Sequence, residues 1–179
     1  MKIVLLHYSF WPEMGGVEHV MRDQANLLRR EGHEVKVVAG VGESTGEDFE
    51  FELLPELAPD FALNKAVRTV LERGQADQNF SQYRSVLVAA LGRMLAGAEL
   101  TLVHNVFTMH FNLAFTRALH DLAPRHMMIA WTHDLVATNS DYALPNPTQP
   151  LWSLMRTSAP GVTYVAASEL RVDEVKAHL

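Results

Sequence analysis

The chain has 179 residues, 48% of them hydrophobic, with a formal net charge of −6 and no cysteine. That balance suits one domain with a core of its own and argues against a nucleic-acid binder, which would carry a basic face. Without cysteine there is no disulfide, thiolate metal site or thiol nucleophile, and no apolar run approaches the length of a membrane span, so a reducing, cytoplasmic setting is expected.

The first strand is expected at Lys2 to His7, an apolar run of the kind found in sheets covered on both faces. An aromatic loop, Tyr8 to Met14, leads to Gly15-Gly16 and a helix from about Val17 to Glu31. Val17, Val20, Met21, Gln24, Leu27 and Leu28 share one side of that helix, and Glu18 in its first turn suits the helix dipole. Gly32 stops the helix, and Glu34 to Ala39 forms the second strand. After the loop Gly40 to Asp48, Phe49 to Leu53 alternates as a third strand at a sheet edge. Two helices follow, at about Asp60 to Arg73 and Asn79 to Leu95, with Gly74 near the break. Leu100 to His104 is a short buried strand, Met109 to Leu122 a helix, and His126 to Thr132 the next strand. Asp134 to Pro150, with three prolines, is a long loop; Leu151 to Ser158 is a short helix. Val162 to Ala166 is the last strand, and Ser168 caps a final helix with Glu169 in its first turn.

Strand and helix alternate throughout. The expected fold is α/β: a Rossmann-like, doubly wound, mostly parallel sheet with helices on both faces, in a single domain over 1–179. Ligands of such sheets bind at the carboxyl ends of the strands. That rule selects His7 and Tyr8, His104 and Asn105, and Thr132, His133 and Asp134 beside the double glycine. Glycines admit a ligand close to the backbone, and the first amides of a helix lack internal partners, so Gly15 and Gly16 make a candidate diphosphate seat. The competing reading is that they only shape a tight strand-to-helix turn. No G-x-G-x-x-G is present, so this is not the dinucleotide fingerprint.

His133 at a strand end can donate a hydrogen bond or move a proton, and Asp134 can orient it or bind a hydroxyl; the plain alternative is a histidine that caps loop backbone. His104 and Asn105 are candidate sugar or diphosphate contacts, and their spacing to His110 does not suit a metal. Tyr8, Phe10 and Trp11 offer a platform for a sugar ring or an acyl chain, with at least one of them expected to staple the loop to the core. His7 is expected to top the core, Met14, Met127 and Met128 to fill it, and His19, His33, His120, His126 and His178 to lie at the surface. No serine has a nucleophile-elbow context.

These residues carry a resemblance. The opening segment, Lys2 to Gly40, resembles the start of glycosyltransferase family 4, retaining enzymes of the GT-B fold. Gly15, Gly16, Glu18, Gly32, His33 and Val35 match its Gly-Gly-x-Glu and Gly-His-x-Val pattern. The stretch Ile129 to Asp134 is similar to the family's strand-plus-histidine segment, and Val162 to Lys176 to its later strand and serine-headed helix. The resemblance implies an acceptor-side domain facing a cleft, with a nucleotide-sugar as substrate, a hydroxyl acceptor and no divalent metal. It implies that Gly15 and Gly16 approach the donor diphosphate, and that His133 helps hold the sugar and its developing charge. It also implies a second, donor-binding domain whose Glu-x7-Glu pair this sequence lacks. These residues would then be the N-terminal half of a longer enzyme, inactive alone, and compatible with peripheral contact at the membrane's inner face. Two other readings stay open. One is a non-catalytic flavodoxin-like or receiver-like binding module; the His7-Tyr8 strand end counts against the receiver, which would need acidic residues there. The other is half of a GT-B nucleotide-sugar epimerase. Sugar, nucleotide, acceptor and oligomeric state are not specified by the sequence.

Overall fold

The computed structural model describes residues 1–12, 15–44, 46–73, 78–142 and 151–179. Met14, Gly74 and most of the proline-rich loop, at 143–150, lie outside the described residues.

Six parallel strands form one sheet: β1 (Lys2–Ser9), β2 (Glu34–Val41), β3 (Glu50–Leu53), β4 (Leu100–His104), β5 (Met128–Thr132) and β6 (Val162–Ala166). Their spatial order is β3-β2-β1-β4-β5-β6. The chain winds outward from β1 to β3, then returns to start β4 on β1's other side. This is the doubly wound α/β arrangement, and its topological switch point lies between β1 and β4. The helices are α1 (Gly16–Arg30), α2 (Ala62–Glu72), α3 (Gln78–Met94), α4 (Leu113–Leu122) and α5 (Glu169–His178).

β1 is central and buried from Ile3 to Tyr8, because parallel strands are covered on both faces. Its side chains divide between two cores by their period of two. Val4, Leu6 and Tyr8 join the larger core, with Val67 and Leu71 of α2, Phe80 to Leu91 of α3 and Leu113 to Leu122 of α4. Ile3 and Leu5 join the smaller core, with Met21 and Ala25 of α1. Each fully buried leucine of β1 contributes roughly 1.5–3 kcal/mol through the area it removes from water. β3 is an edge strand, as its alternation indicates. Lys36 of β2 lies opposite Glu50 and bridges Glu50 and Glu52 at 3.0 and 2.9 Å, which tethers that edge. Gly40 is required by close approach: a Cβ there would lie 2.7 Å from the Ala58 Cα.

Five expectations need correction. The helix expected from Met109 begins at Leu113. Residues 105–112 are instead a buried connection, ended by Asn112, whose side chain accepts from the Phe115 amide at 3.0 Å. Leu27 was expected on the apolar side of α1 but is 57% exposed, because α1 meets the sheet through Met21 and Ala25. Met127 is exposed while Met128 is core, since β5 begins one residue later than the apolar run suggests. His120 is not a surface group: it packs on Phe107, and burial pushes it down to about 4. The short helix expected at 151–158 is a 3-10 turn, Trp152–Arg156, with Trp152 fully buried.

Candidate functional site

The residues at the carboxyl ends of β1, β4 and β5 meet at the switch point. β1 delivers His7, Tyr8 and Ser9 in succession, alternating between faces. His7 is buried, and its Nδ1–H donates to the His104 carbonyl at 2.8 Å, linking β1 to β4 across the switch point. Its Nε2 lies 3.7 Å from Oε1 of Glu18. Burial pushes this imidazole down to about 4, although the His104 carbonyl and Glu18 both favour its charged form. Tyr8 points into the larger core, where its hydroxyl donates to the Met109 carbonyl at 3.0 Å and its ring meets Phe111 and Phe115 edge-on. Burial holds its hydroxyl well above the usual phenol range. Ser9 Oγ donates to Glu18 Oε1 at 2.5 Å.

Beyond β1 the loop turns back on the smaller core. Phe10 is fully buried and stacks on Phe51, so it is the staple expected of one aromatic in this loop. Trp11 is half-buried, with the Arg22 guanidinium 4.8 Å above its ring. Gly15 is the N-cap of α1 and Gly16 its first residue. The two glycines differ. Gly16 is exposed, and a Cβ on it would meet no atom of the described residues within 4 Å. A Cβ on Gly15 would collide with the carboxylate of Glu18, which folds back over the turn. The side chain of Glu18 is only 11% exposed. An acidic group already lies where a diphosphate was expected, at the positive end of the helix dipole.

β4 ends in His104 and Asn105. His104 is fully buried, its ring between Trp131 and His133 with centroids 6.1 and 5.4 Å away. Its Nδ1 lies 3.1 Å from Nε2 of His133, while its own Nε2 is buried without a partner among the described residues. Burial, together with the neighbouring His7 and His133, keeps this ring well below the usual imidazole range. Asn105 has a φ of 60°, the left-handed conformation that asparagine tolerates better than most residues. Its Oδ1 accepts from the amides of His133 at 2.8 Å and Asp134 at 3.1 Å. Thr108 adds a second tie, donating from Oγ1 to the Asp134 carbonyl at 2.7 Å. The two connections that follow β4 and β5 are thus fastened to each other by side-chain-to-backbone bonds.

His133 and Asp134 stand half-buried at the end of β5. Burial lowers His133, opposed by the charges of Asp134 and Glu18. Arg171 of α5 reaches to 3.6 Å from Asp134 and also pairs with Glu174. The Ser168 hydroxyl caps α5 by accepting from the Arg171 amide at 3.3 Å, as its position suggested.

The structure therefore brings the expected residues other than Trp11 to one rim, but in different states. Gly16, His133 and Asp134 present surface there, and Trp11 lies on the neighbouring loop. Tyr8 and His104, expected to touch sugar or acceptor, are 2% and 0% exposed; the Tyr8 hydroxyl is spent on the Met109 carbonyl and the His104 Nδ1 on His133. Asn105 is 6% exposed, its side-chain oxygen occupied by two amides. Sequence reasoning missed Ser9, Thr108 and Arg171, and saw in Glu18 a helix-dipole charge and a match to the Gly-Gly-x-Glu pattern, but not its fold-back over the turn. The cap at Ser168 was a usable signal for Arg171, since it fixes the first turn of α5 on the rim. Among the described residues, no helix is long and apolar enough to cross a membrane. No family model and no curated protein matches the chain.

Proposed function

We propose that this rim is one wall of a sugar-transfer cleft, in which a sugar passes from a nucleotide-sugar to an acceptor hydroxyl with retention. The observation that carries the reading is the convergence, at the β1/β4 switch point, of an exposed helix-start glycine, Gly16, with the His133-Asp134 pair. Switch points are where doubly wound sheets bind ligands. The amides at the start of α1 complement the departing diphosphate, and His133 and Asp134 meet the sugar. Stabilising charge on a leaving group by preoriented donors is the main task of such a site. Arg171, 3.6 Å from Asp134, supplies a cation at the same rim. For a diphosphate to reach Gly15, the Glu18 carboxylate must swing away from it. The family resemblance of the Gly-Gly-x-Glu and Thr-His-Asp segments supports the same reading, and implies a second domain that completes the cleft and without which turnover is absent.

A second reading has one observation in its favour. With Glu18 folded over Gly15 and bonded to Ser9, the double glycine is also what a purely structural turn requires, as in a non-catalytic binding module. Calorimetric titration with a panel of nucleotide-sugars and free nucleoside diphosphates separates the two. Sugar transfer predicts weak binding that His133→Ala diminishes while the thermal midpoint stays put. A panel that binds nowhere, or binds equally to His133→Ala, removes the sugar-transfer reading.

A further inference from the structure

The contact between His104 and His133 has a consequence for the proton each ring carries. Two imidazole nitrogens 3.1 Å apart, His104 Nδ1 and His133 Nε2, share one hydrogen bond only if one bears the proton and the other a lone pair. There are two ways to assign it between neutral rings. If His133 donates from Nε2, His104 must carry its own proton on Nε2, which is buried with no acceptor among the described residues. If His104 donates from Nδ1, its Nε2 is a bare lone pair. A buried N–H without an acceptor is the rarer and costlier orphan; an unused lone pair is better tolerated. The second assignment wins. His104 cannot escape by taking up both protons, because it is fully buried beside His7, which already uses its Nδ1–H on the His104 carbonyl.

We propose that His104 and Asn105, consecutive at the end of β4, hold His133 as the neutral Nδ1–H tautomer, a hydrogen-bond donor toward a ligand oxygen and not a proton acceptor. The hold has two points. His104 grips the ring through Nε2, and Asn105 Oδ1 grips the backbone through the amides of His133 and Asp134. Nδ1 is then the nitrogen left for a ligand. Glu18 and Asp134 are the acidic groups that act on this ring, and Arg171, bound to Asp134, draws part of that charge away. His104 and Asn105 are positioning residues: they act through His133 and need not touch the ligand. That the ligand oxygen belongs to a sugar or its diphosphate rests on the sugar-transfer reading; the tautomer does not.

Long-range proton–nitrogen spectra of the histidine-labelled protein near neutral pH read the tautomers with no ligand present. The expected result is a protonated Nδ1 and bare Nε2 on both His133 and His104. A proton on Nε2 of His133, or rapid averaging between its two forms, overturns the proposal whether or not any nucleotide-sugar binds. Asn105→Gly tests the second point, since glycine accepts the 60° φ without strain while deleting the acceptor. Amide exchange at His133 and Asp134 should quicken about tenfold, the order expected for one lost hydrogen bond, and the His133 ring should begin to average. Asn105→Asp, which retains an acceptor oxygen, should restore both. Unchanged exchange and an unchanged ring in Asn105→Gly would remove Asn105 from the mechanism.

Discussion

Acidification below about pH 6.5 should destabilise this protein through its buried histidines. His7 is 6% exposed and pushed down to about 4 by burial, whereas an unfolded histidine titrates near pH 6.5. Between those values the unfolded chain binds a proton that the folded chain refuses, so stability is fully present above pH 6.5 and is lost as the pH falls toward 4. At pH 5 the unfolded ring lies about 1.5 units below its own pKa, and at about 1.4 kcal/mol per unit His7 alone removes about 2 kcal/mol. His104 and His110, pushed down mainly by burial, act in the same direction. The assay is urea denaturation at closely spaced pH values from about 7.5 to 5. With a slope of about 2 kcal/mol/M, the His7 contribution moves the midpoint by about 1 M. His7→Gln, which titrates in neither state, should flatten the curve by that amount, whatever it does to stability at pH 7.5. A midpoint that stays level from pH 7.5 to 5, or a His7→Gln curve parallel to the wild type, would refute the reasoning.

Three further outcomes follow from particular contacts. Glu18→Gln removes the carboxylate that lies over Gly15, so the affinity for inorganic pyrophosphate should rise several-fold in calorimetry; an unchanged or weaker affinity would show that Glu18 does not compete for the turn. Tyr8→Phe leaves the Met109 carbonyl without its buried donor, and the urea midpoint should report a loss of about 1–3 kcal/mol, whereas a hydroxyl reserved for ligand would leave stability unmoved. Gly40→Ala drives a methyl into the backbone at Leu57 and Ala58, and should cost about 1–3 kcal/mol by thermal unfolding; a neutral result would mean that this turn yields easily.

The fold was legible because most elements announce themselves locally. β1, β2, β4 and β5 are apolar runs, and the parallel sheet follows from their alternation with helices. Where the reading failed, local pattern competed with tertiary use. Met109 to Asn112 is apolar enough to pass for a first helical turn, yet there Met109 uses its carbonyl on Tyr8 and Asn112 caps the helix that starts after it. The rim was legible in outline, since strand ends can be found by counting. What each rim residue does there was not. His7 and His104 are 97 positions apart and His104 and His133 are 29 apart, and no spacing rule connects them. The same holds for Glu18: its place in the first turn of α1 was evident, but its fold-back onto Ser9 and Gly15 depends on a side-chain torsion that no periodicity encodes.

Titrating a nitrogen-15-labelled sample with nucleotide-sugars, while following the Gly16 and His133 amides, tests the sugar-transfer account most directly. The account predicts that one nucleotide class moves both amides together, saturably, and leaves the far end of the sheet, at Lys2 and Glu99, unmoved. Saturable binding that shifts other regions and leaves Gly16 and His133 in place would contradict it.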